Sequence, residues 1–396
     1  MAVVVDALRT PIGKLGGTLA SVRPDDLLGH VVRAMAERHA LESVDDVIAG
    51  CANQSGEDGR NVARMAVILA GLPLTVPAQT VNRLCGSSMQ AIIAAAHALD
   101  GGCGDVILAG GVESMSRGAY AFAKAEKPFA FGNLKVYDTT LGWRFHNPKI
   151  HERVRPLSMG ETAEEIFQTI PVSREEQDAF AFDSHQKALA AWKTGKFANE
   201  VVPVILPDKK GDRRIDRDEG PREDTTLEKL ASLKPAFRSN GTVTAGNSCP
   251  LNDGASMTLM MTESEAGRRG FKTGFRLKAS GVTALHPDVM GLGPVEATRL
   301  ALRRAGLSID DLGLVELNEA FAIQALACMR ELGLHADRVN VNGGAIAIGH
   351  PLGCSGARLV GTLVHEMRRR NVRYGLATMC IGVGQGIATI WEKVDL

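Results

Sequence analysis

Short apolar runs alternate with amphipathic stretches in both halves of this sequence, and in the same order. Residues 47–51, 78–82 and 105–111 predict buried strands, and residues 26–39, 61–70 and 88–99 predict helices between them. The last third repeats the rhythm, with a helix over 295–305, a strand over 314–317, a helix over 357–369 and strands over 374–380 and 386–391. Such alternation predicts an α/β protein whose sheets are covered by helices on both faces. Sliding the chain on itself by 265 residues lays Ser43 on Ser308, Asn53 on Asn318 and Cys85 on His350. The expected architecture is therefore two copies of one α/β unit, with two reactive side chains on equivalent loops.

The middle of the chain breaks this pattern. Residues 119–248 hold two capping boxes, Ser158 with Glu161 and Ser173 with Glu176, each predicted to open a helix. They also hold a run over 209–224 with six basic and six acidic residues, read as a solvated, self-paired hairpin or as a source of a phosphate-binding cation, Arg222. This stretch is expected to be an insertion that covers a site. Residues 242–254, rich in Gly, Asn and Ser, return the chain to a further strand over 255–261. The expected division is a first half over 1–118 completed by 249–268, a loop domain over 119–248, and a second half over 269–396.

Composition excludes several classes. The 396 residues carry 45 Lys plus Arg against 45 Asp plus Glu, without the positive excess of a nucleic-acid binder. No apolar run is long enough to cross a membrane, and the first residues show no signal or transit pattern, so a cytoplasmic location is expected. The seven cysteines are odd in number, irregularly spaced and lack any C-x-x-C pair, which suits a reducing compartment and argues against a zinc cluster. Each is then a small core residue or a nucleophile.

Four clusters can carry chemistry. Cys85 follows a strand and precedes a small-residue turn and a helix, so its sulfur sits near the unpaired N–H groups of a helix N-terminus. A free thiol titrates near 8.5, and a downward shift of about two units, worth roughly 2.7 kcal/mol, would make the thiolate the major form. That ionised state is the expectation for Cys85. His350, held between Gly349 and Pro351 at a second strand-to-helix turn, is either a fixed general base or a turn filler. Cys380 and Gly382 follow a strand at the edge where α/β sheets place ligands, and the Gly382 N–H can face a developing oxyanion. Asn318 and Glu319 close another strand and would, by themselves, read as a helix N-cap.

Taken together, the segments RTPIG (9–13), VNRLCGSSMQA (81–91), GGVESMS (110–116), TVTAGN (242–247), LNDGA (251–255), NEAF (318–321), NGGAIAIGHPLG (342–353), SGAR (355–358) and MCIGVGQG (379–386) resemble the thiolase family over essentially the whole chain. The resemblance implies a duplicated thiolase fold, five-layered α-β-α-β-α, with an inserted loop domain. It implies Cys85 as nucleophile, His350 as the base that activates it and Cys380 as acid and base. Asn318 would hold a water that forms one oxyanion hole with His350. The N–H groups of Cys85 and Gly382 would form the other. Coenzyme A enters as co-substrate, with no permanently bound cofactor and no metal. By position in the motifs, Arg222 resembles an adenine-side contact, and Met159, Phe237, Ala245 and Phe321 resemble pantetheine and acyl-pocket residues. Cys249 stands where the family usually has a pantetheine-facing Ser, and a thiol is the weaker donor. The family forms dimers and tetramers, so a homo-oligomer is expected. Nothing in the sequence specifies a hydratase or dehydrogenase partner.

The implied reaction is cleavage of a 3-ketoacyl-CoA by CoA, reversible as a Claisen condensation. Ser158 stands where acetoacetyl-CoA-specific biosynthetic members carry His, which favours a catabolic enzyme over that alternative. Residues 50–66, 138–145 and 290–299 are most similar to the β-ketoadipyl-CoA branch, whereas LCGSSMQA is closer to the fatty-acid branch. Arg144 is a candidate partner for a terminal carboxylate. A decarboxylating ketoacyl synthase would not need Cys380, and a non-catalytic carrier should lack one of Cys85, His350 or Cys380.

Overall fold

A computed structural model of the chain describes residues 1–209 and 211–396; Lys210, in the charged run, lies outside the described residues. Among the described residues, nine strands run in sequence through a ten-stranded sheet: β1 (Ala2–Arg9), β2 (Asp46–Gly50), β3 (Ala78–Val81), β4 (Val106–Ser114), β5 (Asn252–Thr262), β6 (Thr273–Ala284), β7 (Leu314–Leu317), β8 (Tyr374–Ile381) and β9 (Gln385–Asp395), and the tenth, Gly13–Lys14, pairs with the start of β5. The principal helices are α1 (Pro24–Arg38), α2 (Val62–Ala70), α3 (Ser87–Asp100), α4 (Met159–Thr169), α5 (Arg174–Lys193), α6 (Gly293–Ala305), α7 (Ala322–Leu332) and α8 (Leu352–Arg370).

The strand order is β3-β2-β4-β5-β1 in one half and β7-β8-β9-β6 in the other, with a single parallel bridge from Val315 to Val339 in the place of β3. Directions match as well: β2 runs parallel to β4 as β7 does to β8, while β4 is antiparallel to β5 as β8 is to β9. The halves join where Val3 and Val4 pair with Arg276 and Phe275. The duplication read from the sequence is thus a repeat of topology. Its offset is not uniform. β2 and β7 start at Asp46 and Leu314, 268 residues apart, whereas α3 and α8 start at Ser87 and Leu352, 265 apart.

Side-chain alternation explains the layers. From β4, Val106, Leu108 and Val112 face α1 and α2, while Ile107 and Ala109 face α3 and α8. From β8, Leu376 faces α6 and α7, and Ala377, Met379 and Ile381 face the central helices. Helix α8 is buried without a break from Gly353 to Met367, as a helix packed between two sheets must be. The resulting order is helix, sheet, helix, sheet, helix.

Both capping boxes at Ser158 and Ser173 form and start α4 and α5. The charged run departs from a solvated hairpin. Arg213–Ile215 does pair back on Val204–Leu206, but the chain then turns inward. Asp218 is buried against Arg9, whose guanidinium bonds both its oxygens at 2.6 and 3.0 Å and Glu200 at 2.7 Å. Glu219 accepts from the N–H groups of Lys14 and Thr18 at 3.0 and 2.9 Å. The reason is that Arg9, itself on β1, is sealed from water and needs carboxylates there. Among the described residues, no helix is long and apolar enough to cross a membrane. Between residues 120 and 145 the chain exposes Phe122, Phe129, Phe131, Leu134 and Val136.

Replacing Asp218 by Ala removes half of the Arg9 cage and leaves a buried charge short of partners. Urea denaturation should show a loss of about 3–5 kcal/mol; a change under about 1 kcal/mol would mean that Arg9 reaches water by another route.

Candidate active site

The turn that carries Cys85 is held by its own polar groups. Leu84 takes a left-handed backbone (φ 47), a conformation that costs a residue with a side chain about 1–2 kcal/mol. Asn82 Oδ1 accepts the Leu84 N–H at 2.9 Å, and the Ser87 hydroxyl donates to the Leu84 carbonyl at 2.6 Å while accepting the Arg83 N–H at 2.9 Å. Gly86 caps α3, and a side chain there would lie 2.6 Å from Ile381 Cδ1 at the end of β8. Its lack of a side chain lets the Cys85 turn press against that strand end.

His350 occupies the equivalent turn before α8. At Gly349 (φ +119) a Cβ would collide with the Asn252 amide, and that amide accepts the His350 N–H at 2.9 Å and donates to the Gly13 carbonyl at 2.9 Å. The imidazole Nδ1 lies 2.6 Å from Ser355 Oγ, whose hydrogen goes to the Pro351 carbonyl at 2.8 Å. Ser355 Oγ must therefore accept from Nδ1–H, which leaves Nε2 without a proton. Burial, and secondarily the Arg358 charge, push His350 down to about 3, so the ring is neutral.

The two turns are brought together by the N-terminal ends of α3 and α8. Ser88 Oγ accepts the Ala357 N–H at 2.9 Å, and a Cβ on Gly356 would lie 2.4 Å from the Met89 nitrogen. Glu113, buried, accepts N–H groups from Ala52, Asn53 and Gly353 at 2.9, 3.1 and 2.8 Å and so ties the loop after β2 to the first turn of α8. Burial pushes its carboxyl up to about 7.

The ends of β8 and β7 complete the site. The backbone N–H groups of Gly382 and of Cys85 itself point at the Cys85 sulfur. Cys380 is buried, and its thiol is pushed well above the usual range by burial and by the nearby Cys85, Cys328 and Cys249 thiols. Burial likewise pushes Cys249 up to about 12. Asn318 donates its backbone N–H to the Thr378 carbonyl at 3.0 Å, while its side-chain amide is fully buried with neither atom hydrogen-bonded. It does not cap α7, which begins from Phe321 without a side-chain cap. Glu319 instead binds Ser184, Asn340 and the Ile346 N–H at 2.7, 2.8 and 3.1 Å, bracing the turn before His350.

The expected thiolate at Cys85 is corrected by this geometry. Burial raises the thiol, and the Gly382 and Cys85 N–H groups offset only part of that. With His350 neutral, the resting pair is thiol and imidazole.

Met159, Phe321 and Cys249 join Cys380 in one apolar cluster. Phe237 meets Phe321 edge to face at 6.3 Å and lies over Gly160. Ala245 and Arg222 are exposed outside this cluster, and the Arg222 N–H donates to His185 Nδ1 at 3.3 Å. Three supporting residues, Ser355, Asn252 and Glu113, had no assigned role in the sequence reading. Each stands inside a motif quoted above, and that position was the available signal.

Two family models match the chain: "Thiolase, N-terminal domain" over residues 2–264 and "Thiolase, C-terminal domain" over residues 272–393. The chain is 52% identical to the 3-oxoadipyl-CoA/3-oxo-5,6-dehydrosuberyl-CoA thiolase of Escherichia coli (strain K12), covering 99% of both chains. It is 50% identical to a beta-ketoadipyl-CoA thiolase of Acinetobacter baylyi, again over 99% of both. The solved acetyl-CoA acetyltransferase of Bacillus anthracis superposes with a TM-score of 0.92 at 39% identity, covering 99% of this chain and 98% of that one. With both halves matched and relatives similar from end to end, the chain belongs to the thiolase family.

Proposed function

We propose that this acyltransferase cleaves 3-ketoacyl-CoA with CoA to acetyl-CoA and a shortened acyl-CoA, in a catabolic role, through an acyl-enzyme on Cys85. The observation that carries this reading is the Cys85 sulfur facing the Gly382 N–H with the Cys380 thiol nearby, on a turn whose helix is hydrogen-bonded through Ser88 to Ala357 of the helix that follows His350, a residue with a bare Nε2; at the end of β7 the buried Asn318 amide has no hydrogen-bond partner.

The steps follow from these groups. The Cys85 thiol passes its proton to His350 Nε2 as the sulfur attacks the 3-keto carbon. The oxyanion is met by His350 and by a water held on the Asn318 amide, whose two free atoms can orient one. The C2–C3 bond breaks, and the electron pair on C2 takes the Cys380 proton, releasing acetyl-CoA. The proton that His350 took from Cys85 then passes to the Cys380 thiolate, which restores its thiol. In the second half, His350 takes the CoA thiol proton, the CoA sulfur attacks the acyl group, and Cys85 leaves and recovers that proton. The acyl-enzyme oxygen lies toward the N–H groups of Cys85 and Gly382.

CoA lies under residues 119–248, with Met159, Phe237, Ala245, Cys249 and Phe321 along the pantetheine and acyl arm and Arg222 on the nucleotide side. Cys249, a neutral thiol whose N–H is engaged by the Ala320 carbonyl at 3.0 Å, is a weak donor there. CoA is a co-substrate, and no bound cofactor is called for. The acetoacetyl-specific biosynthetic alternative is less well supported, because the Ser158 hydroxyl is committed to Glu161 at 2.7 Å. The exposed aromatic residues between 120 and 145 suit burial in a dimer or tetramer. A cytoplasmic location fits the free cysteines.

Cys85→Ala should abolish thiolysis and condensation. Cys380→Ala should still accept an acetyl group from acetyl-CoA on Cys85 while losing carbon–carbon bond chemistry; intact-protein and peptide mass spectrometry would read the adduct, and its absence contradicts this division of roles. Nitrogen-15 NMR of His350 should show a neutral ring with the proton on Nδ1 down to pH 5. An imidazolium already present at pH 6 would contradict the buried, Ser355-fixed tautomer.

A further inference from the structure

The two N–H groups aimed at the Cys85 sulfur belong to segments far apart in the chain. One is on the turn before α3, and the other, at Gly382, is on the short link from β8 to β9. Neither segment is relaxed. Leu84 on the turn and Val383 on the link both take left-handed backbones (φ 47 and 63), which cost any residue with a side chain and most of all a β-branched one. The link is held from outside: the Leu285 N–H donates to the Gly384 carbonyl at 2.9 Å, and a Cβ on Gly293 at the start of α6 would lie 2.2 Å from the Gln385 carbonyl oxygen.

From the Cys85 side, the packing of Gly86 on Ile381 brings the segments close but sets no direction. Arg83 supplies one. Its Nη1 donates to Gln385 Oε1 at 3.1 Å, and its Nε donates to Gln90 Oε1 on α3 at 2.9 Å. Gln385 is itself fixed, paired with Ile381 on β8 and with Ala284 on β6. Among the described residues, and apart from the Gly382 N–H at the sulfur, the Arg83–Gln385 bond is the one hydrogen bond between the Cys85 turn and the β8–β9 link. Arg83 is half-buried and forms no ion pair among the described residues. Its rigid planar fork therefore holds two neutral amide oxygens, with the added strength of a charged donor.

We propose that Arg83 is a positioning residue: by gripping Gln385 it fixes the spacing of the Cys85 and Gly382 N–H groups, and so it governs acyl transfer between Cys85 and CoA rather than cleavage of the C2–C3 bond. This rests on the thiolase reading above. In acyl transfer the CoA sulfur bonds to the acyl carbon and the carbonyl electron pair moves onto the oxygen between those two N–H groups. Its return breaks the bond to the Cys85 sulfur, which receives the proton that His350 took from CoA. Cleavage of C2–C3 places its oxyanion at His350 and the Asn318 water, outside this grip.

The test measures the two half-reactions separately. Transfer of acetyl from acetyl-CoA to isotopically labelled CoA reads acyl transfer alone. A single turnover of acetoacetyl-CoA without free CoA reads C2–C3 cleavage. Misplacing a catalytic group by about 1 Å corresponds to roughly 100-fold in rate. Arg83→Met and Gln385→Leu should each slow the transfer roughly 10- to 100-fold and leave cleavage within about threefold. The double variant should be no slower than the single ones, and Arg83→Lys should recover part of the loss. Gln385→Leu keeps the Arg83 charge and leaves the Cys85 turn untouched, so its loss separates spacing from charge and from misfolding of that turn. Equal losses in both half-reactions, no loss in transfer, or additive losses in the double variant overturn the proposal. A wild type that neither exchanges acetyl with CoA nor cleaves acetoacetyl-CoA overturns the thiolase reading and this inference with it.

Discussion

Ser88 and Ala357, near the starts of the two central helices, share a hydrogen bond of 2.9 Å, and the site is arranged around that contact. The approach is possible only because Gly353 and Gly356 present bare backbone, where side chains would collide with Cys51, Val112 and Met89. Each half supplies the same strand, turn and helix, so apposing the helix starts apposes the turns before them. One turn ends in a sulfur and the other in an imidazole. The five layers, the unbroken burial of α8 and the Glu113 tie from Ala52 to Gly353 all serve to fix that apposition.

The same burial sets the protonation of the site. Removing water disfavours both a thiolate and an imidazolium, so it raises Cys85 and lowers His350. Two N–H groups aimed at the sulfur would stabilise negative charge there, yet desolvation outweighs them at rest. The site is therefore poised rather than charged. Proton transfer from sulfur to Nε2 accompanies attack, when the charge created can move onto the substrate oxygen and its donors. Ser355 contributes by holding the ring in the one tautomer that leaves Nε2 able to accept.

Much of this was legible in the residues. The strand and helix rhythm, both capping boxes and the equivalence of the Cys85 and His350 turns follow from periodicity and turn chemistry, which act locally. What escaped depends on contacts distant in sequence. Asn318 resembles an N-cap until the fold buries its amide with no hydrogen-bond partner. Asp218 looks like one charge in a solvated run until Arg9, 209 positions earlier, claims it. The strand offset of 268 against the helix offset of 265 hides in loops whose lengths differ between halves. The sign of the Cys85 shift was misjudged for a similar reason. A helix start favours a thiolate locally, whereas desolvation is a property of the assembled site.

The neutral thiol is the claim on which the chemistry turns, and the pH dependence of Cys85 alkylation by iodoacetamide tests it most directly. Inactivation of the free enzyme should keep accelerating through pH 8.5, the ordinary titration point of a free thiol. A rate that levels off below pH 7 would show a resting thiolate–imidazolium pair and contradict this account.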